Sequence, residues 1–228
     1  MKVKSVAHLY LTPTGWTAPP PEALTDVTAA APAVVTAVAM PASAVEGAYV
    51  VFADTAQADL DGYAFQITNP DTTAKTFELE DTDRTAQTAA TTGTFQAFSI
   101  ATGGDLISAC MANVTVTGVA PDSIALDDMC GNATVLGDPK PPTFTFSGFV
   151  DNSSAGFRNL VQASLESPKA TRYLLIDYGA DVGYIFGQVE IGEMTITAAV
   201  NAGLQFSGSG IFTEIPTYSW ALAAEALA

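Results

Sequence analysis

Short runs in which apolar and polar residues alternate, broken by clusters of Gly, Pro, Asn and Asp, fill most of this chain. Alternation with period two is the signature of half-buried β-strands. In the first half the runs are AYVVFA (48–53), GYAFQIT (62–68), KTFELE (75–80) and TFQAFSI (94–100). Between them lie Asp59-Leu60-Asp61-Gly62, Asn69-Pro70-Asp71 and Thr92-Gly93, residues that tolerate turn geometry, so the segment predicts a small antiparallel barrel or sandwich. Ahead of it, TPTGWTAPPP (12–21) cannot continue a helix or a central strand, because its consecutive prolines lack backbone donors; it is read as a linker.

After residue 106, ANVTVTGV and SIALDDM are strand-like and GNATVLGDPKPP is read as a loop rich in Gly and Pro. In TFTFSGF, Phe144 and Phe146 sit two apart and so share one face of a strand. One helix follows. Ser153 or Ser154 caps it, Phe157, Leu160, Val161 and Leu165 form a single apolar stripe that predicts its core-facing side, and Pro168 stops it. TRYLLIDY (171–178) is apolar enough for a buried strand, and 179–183 turns the chain into YIFGQVEI. After Gly192, runs at 194–200 and 204–212 flank the turn signal Asn201-Ala202-Gly203. These last strands keep exposed edges, which template association.

The elements define a mainly β chain with one α-helix and a small acidic antiparallel β-barrel or sandwich module (34–98), preceded by an N-terminal arm and linker (1–33).

Charge narrows the function classes. Lys and Arg number 8 against 24 Asp and Glu, a formal charge of −16, which argues against holding nucleic acid by neutralising its phosphates. Between Glu46 and Asp83 nine carboxylates face a single cation, Lys75. Cys110 and Cys130 are too few for a disulfide framework and are read as buried thiols, with a bridge between them as the alternative. No segment approaches the ~20 apolar residues that span a bilayer. The apolar start is broken by His8, Thr12 and Pro13, so it does not read as a signal peptide, and a cytoplasmic site of synthesis is expected. The sequons at Asn113, Asn132 and Asn152 are therefore read as chance.

Catalytic, cofactor and metal groupings are not found in the sequence. Ser207-Gly208-Ser209-Gly210 lacks the spacing of a nucleophile elbow, and His8 is the single candidate base. Asp127 and Asp128 are adjacent, so on a strand they point to opposite faces, and Glu190 and Glu193 differ in parity as well. Asp54, Asp59 and Asp61 before Gly62 invite a calcium reading, but the spacing is not that of an EF-hand and turn-forming aspartates are the default. An abundant scaffold is favoured over an enzyme.

The order FTFSGFVD, helix AGFRNLVQASL, RYLLIDYG, YIFGQVEIGEM and LQFSGSGIFTEIP resembles the major tail tube protein of long-tailed, siphovirus-like bacteriophages over roughly the last half of the chain. The segment 34–98, with Leu60-Asp61-Gly62-Tyr63-Ala64-Phe65 and Thr76-Phe77-Glu78-Leu79, is similar to a small β-barrel insertion of phage tail proteins, here placed near the N-terminus. The resemblance implies a β-sandwich core flanked by the α-helix (99–228, with 1–12 as a candidate source of its first strand), the 34–98 module being an insertion, and hexameric rings that close by joining sheet edges and stack into a hollow tube in the virion tail, assembled in the bacterial host cytoplasm. It implies the tape measure, tail terminator and distal tail proteins as partners, and DNA as a passenger that is not specifically bound. Glu190 and Glu193 are then candidates for the lumen, and Tyr10 and Trp16 in the N-terminal arm for contact with a neighbouring ring. The competing expectation is a capsid- or tail-decorating adhesion module that binds carbohydrate or protein.

Overall fold

The computed structural model describes residues 8–100, 105–117, 123–128, 131–136, 141–178, 183–198, 203–214 and 216–219. The chain is mainly β, with one helix among these residues. Six strands, β2 (Glu22–Val27), β3 (Ala33–Ala37), β4 (Tyr49–Ala53), β5 (Tyr63–Asp71), β6 (Thr76–Leu79) and β7 (Thr94–Phe98), pair in the order β4-β7-β2-β3-β6-β5, and β5 returns to β4 to close a barrel. Closure removes the free edges that a short acidic sheet would otherwise expose. Alternate residues point inward, among them Val35, Ala37, Phe52, Phe65, Ile67, Phe77, Leu79 and Phe95, and form one core.

Two expectations shift here. β2 lies inside the stretch read as arm and linker; its pattern EALTDV offers few apolar residues and carries a register shift between Leu24 and Asp26, so period two is interrupted. Asn69-Pro70-Asp71 is a bulge within β5 rather than a turn, which suits a proline that cannot donate to the ladder. The turn follows it, held by the Asp71 carboxylate, which accepts from the amides of Thr73 and Ala74 at 2.8 and 2.9 Å.

The second body is a sandwich. β1 (His8–Leu11), β8 (Ile107–Cys110) and β13 (Arg172–Asp177) combine with the first half of β14 (Tyr184–Thr197) in the order β8-β1-β13-β14. The second half of β14 continues into a sheet with β15 (Gln205–Phe212), β12 (Thr143–Phe149) and β9 (Asn113–Thr117), in the order β14-β15-β12-β9. Every one of these pairings is antiparallel. The runs read as separate strands on either side of Gly192 are thus one strand of 14 residues. Its register shifts between Ile191 and Met194, where a Cβ on Gly192 would lie 2.9 Å from the Ser209 carbonyl; the glycine permits a bulge, not a turn.

Leu9, Leu11, Leu174 and Ile176 from the first sheet meet Phe144, Phe146, Phe206 and Phe212 from the second in a shared core. The glycines of Ser207-Gly208-Ser209-Gly210 explain how the rings fit. Phe146 pairs with Gly208 and Phe144 with Gly210, and a Cβ on either glycine would fall within 2.6 Å of the facing ring.

The helix α1 (Ala155–Leu165) is capped by Ser154, whose hydroxyl accepts from the Phe157 amide at 3.3 Å. Its buried side is Gly156, Phe157, Asn159, Leu160 and Ala163. Leu165, expected in the stripe, is 77 % exposed, and Val161 is half-buried. The helix is turned because small and polar residues seat it: a Cβ on Gly156 would lie 2.0 Å from the Ser108 carbonyl oxygen of β8, and Asn159 donates to the Leu11 and Thr12 carbonyls at 3.1 and 3.2 Å. Arg172, also buried, donates to Thr12 O, to Asn159 Oδ1 and to Thr14 Oγ1, and pairs with Glu166.

The stretch read as a loop after residue 130 contains β11 (Gly131–Leu136), which pairs along its length with β10 (Ser123–Asp128) as a separate two-stranded sheet. Cys130 and residues 179–182 and 199–202, two expected turns, lie outside the described residues. A short last strand, β16 (Thr217–Ser219), pairs antiparallel with β14 and parallel with barrel strand β5. No helix among the described residues is long and apolar enough to cross a membrane.

Candidate functional site

The sheet β9-β12-β15-β14 turns one face to its core and the other outward, and period two decides which side chains go where. Outward from β12 come Thr143, Thr145 and Ser147, opposed on β9 by Thr117, Thr115 and Asn113, and on β15 by Ile211, Ser209 and Ser207. Thr117 and Thr143 join their hydroxyls at 3.0 Å. β14 adds Glu190, opposite Ile211, and Thr195, opposite Ser207, with Glu193 between them at the bulge. The result is a hydroxyl-rich surface with two shallow open grooves of about 360 and 430 Å³, the first lined in part by Glu193 and the second by Glu190.

Glu190 and Glu193 therefore border neighbouring grooves of a single sheet face, although simple parity along a strand separates them. The bulge at Gly192 changes the phase between them, and the sequence carries that signal only as a glycine inside a strand pattern. Glu190 is half-buried and Glu193 exposed, and Lys169 lines the same groove as Glu190.

The far end of this sheet exposes apolar side chains on both faces, a feature the strand pattern does not announce: Phe149 continues the outward row of β12, whereas Ile196 is the direct partner of core-facing Phe206 and Leu204 lies two residues before it. Phe149 is 61 % exposed, Ile196 53 % and Leu204 49 %. Thr195, Ile196, Thr197 and Ala198 are all exposed in succession, so the end of β14 is uncovered on both faces. β9 pairs with β12 on one side, and among the described residues no strand occupies its other side.

Tyr10 and Trp16 do not form a free arm. Tyr10 lies in β1, between β8 and β13, and Trp16 packs against Phe98 and Tyr173 with ring centroids 5.9 and 5.7 Å apart. The Trp16 indole donates to Asp105 Oδ1 at 3.0 Å. Both belong to the cluster joining barrel and sandwich, with Tyr49, Ala64, Phe98, Leu175 and Phe186. At this junction Tyr49 and Tyr184 meet edge to face at 4.6 Å, and the Tyr184 hydroxyl donates to the Ala64 carbonyl at 2.9 Å. Burial first, and then the carboxylate of Asp177, hold the Tyr49 phenol well above its usual range; burial and Tyr49 do the same to Tyr184.

Two of the three aspartates that invited a cation reading, Asp59 and Asp61, have partners of their own. Asp59 grips the buried guanidinium of Arg84 through Nε at 2.5 Å and Nη2 at 3.3 Å, and Arg84 also donates to the carbonyls of Val27, Thr28 and Thr88. Asp61 accepts from the amide and hydroxyl of Thr55 at 3.2 and 2.8 Å. Among the described residues no group of three or more His, Cys, Asp or Glu is placed to hold a metal ion.

Sheet register does bring together residues far apart in sequence: Cys110, His8 and Asp177 occupy directly opposed positions on β8, β1 and β13. Such a row resembles a nucleophile, base and orienting acid. Asp177, however, hydrogen-bonds the Tyr49 phenol of the barrel, so it belongs to the packed junction rather than to an open cleft.

No protein-family model matches the sequence, and the comparison with curated proteins gives no match. Among solved structures the chain is similar to a component of the virion of a native gene transfer agent particle, at 8 % identity and a TM-score of 0.41, over 54 % of this chain and 93 % of that one. It is also similar to the SPP1 tail tube, determined by solid-state NMR and cryo EM, at 14 % identity and a TM-score of 0.35, over 52 % of this chain and 71 % of that one. At these scores the likeness carries no argument for function.

Proposed function

We propose that this chain is a structural virion protein, the subunit of a phage tail tube built from stacked hexameric rings. The observation that carries the reading is the outer face of β9-β12-β15-β14: rich in Ser and Thr, shallowly grooved beside Glu190 and Glu193, and ending at an edge of β9 on which no strand among the described residues pairs. Side-by-side joining of such sheets through their edges makes a head-to-tail contact that closes into a ring, and stacking extends the ring into a filament. A lumen lined by hydroxyls and carboxylates, with Lys169 as the single cation lining its two grooves and Glu190 in the same groove, offers phosphates little to displace their counterions, so DNA passes without being gripped. The net charge of −16 acts in the same direction.

On this reading the exposed Phe149, Ile196 and Leu204 meet neighbouring subunits, and the barrel is a separate insertion carried by each subunit. The tape measure protein would occupy the lumen during assembly, with tail terminator and distal tail proteins at the tube's ends. Negative-stain electron microscopy of the purified protein tests the proposal. Stacked rings with a central channel support it; dispersed monomers or trimers at high concentration reject it in favour of a decorating module.

A further inference from the structure

The barrel and the sandwich have separate cores and share a third buried cluster at their junction, and the polar and main-chain links beside that cluster fall into two groups. The first is where the chain crosses between the bodies, once after β1 and once before β8. Asp105 ties these crossings together: its carboxylate accepts from the Trp16 indole at 3.0 Å and from the Ser99 amide at 2.9 Å, while Gln96 of β7 donates to the Pro19 carbonyl at 2.8 Å. Phe98, Tyr173 and Phe186 pack around Trp16 at this place, with ring centroids 4.7–5.9 Å apart.

The second link is β16. Tyr218 and Ser219 pair with Tyr63 and Ala64 of the barrel, and Tyr218 and Thr217 with Ile185 and Phe186 of the sandwich. Among the described residues this is the one strand pairing that connects the two bodies. The Thr217 hydroxyl donates to the Phe186 carbonyl at 3.0 Å, and a Cβ on Gly187 would lie 3.0 Å from the ring of Pro216, so the approach to β16 is seated on β14 without a gap. The barrel side of the strap also holds two residue pairs, and beside it the Tyr184 hydroxyl of β14 donates to the Ala64 carbonyl.

We infer that β16 is a latch that fixes the barrel's orientation, and that its release lets the barrel pivot about the Trp16–Asp105 clasp while both cores stay folded. The inference rests on the pairing pattern and the separation of the cores, and stands whether or not the chain forms a tube. Local opening of this kind is expected where a short main-chain pairing and one shared cluster join two bodies that each keep a core of their own.

Hydrogen exchange on the full chain, compared with Tyr218→Pro and with a chain ending at Glu214, tests it. Proline at 218 removes a ladder donor and is not tolerated inside a sheet. The expected result is exchange faster by on the order of tenfold in peptides covering 63–66 and 184–187, with the β3 and β6 peptides unchanged. Tyr184→Phe, which removes the phenolic hydrogen bond alone, should give a smaller increase in the same peptides. Unchanged exchange at 63–66 in both strap variants overturns the inference. So does an increase spread through β3 and β6, which would make β16 part of a single cooperative core.

Discussion

Replacing Gly156 by alanine sets two effects of opposite sign against each other. Helix propensity alone favours the change, by no more than the about 0.8–1.0 kcal/mol that separates glycine from alanine in a helix interior, since Gly156 lies in the first turn. The structure opposes it. The added Cβ would sit 2.0 Å from the Ser108 carbonyl oxygen, 2.5 Å from its carbon and 2.8 Å from the Ala109 Cα, all backbone atoms of a strand hydrogen-bonded to β1. Ordinary contact needs more than 3 Å, so α1 has to move away by roughly 1 Å, which strains or opens a close-packed core at about 1–3 kcal/mol. The shift also lengthens the Asn159 hydrogen bonds to Leu11 and Thr12, at 3.1 and 3.2 Å already near the upper end of their range. Gly156→Ala is thus expected to lose about 1–2 kcal/mol net, read as a lower urea midpoint at unchanged slope, while Gln162→Ala on the exposed side stays within about 0.5 kcal/mol. A Gly156→Ala protein as stable as the parent, or more so, would show that propensity wins and that α1 is not seated backbone to backbone on β8.

Asp59→Ala should cost about 3 kcal/mol, because it leaves the Arg84 guanidinium buried without its carboxylate; a loss below about 1 kcal/mol in chemical denaturation would refute that account. Leu165→Ser should change the stability of the unassembled protein by no more than about 0.5 kcal/mol, and a larger loss would return Leu165 to the core. Tyr49 and Tyr184 stay protonated in the folded chain above the usual phenol value of 10.0, whereas the unfolded chain ionises there. Stability from these two groups is therefore complete below pH 10 and falls as pH rises beyond it, by about 1.4 kcal/mol per unit for each phenol; flat stability to stronger alkali, or tyrosinate absorbance from both at the ordinary value, would contradict it. If the chain forms the proposed tube, Glu190→Lys with Glu193→Lys should slow DNA ejection from the virion, most at low salt, and unchanged ejection would remove these residues from the proposed lumen.

Much of the architecture is legible because period-two alternation is strong in most barrel strands, in β12 and in β15, and because Ser154 and Pro168 bound the helix. What escapes does so for particular reasons. β2 and β11 carry too few large apolar residues, or too many turn formers, to stand out. β5 and β14 each contain a bulge whose proline or glycine imitates a break. The face of α1 is set by Gly156, Asn159 and Ala163, which hydrophobic periodicity does not count. Glu190 and Glu193 are visible as carboxylates, but their meeting on one face depends on that bulge, and the Cys110, His8 and Asp177 row depends on strand order, which residue spacing does not encode.

The barrel enters and leaves the sandwich at adjoining positions: Leu11, at the end of β1, is the direct partner of Ile107, at the start of β8. Two antiparallel neighbours so arranged could be joined by a short turn, with the sandwich strand order unchanged. An ancestral chain could therefore have acquired the whole barrel, or a descendant could discard it, through a single event at one hairpin, leaving the β9-β12-β15-β14 surface untouched.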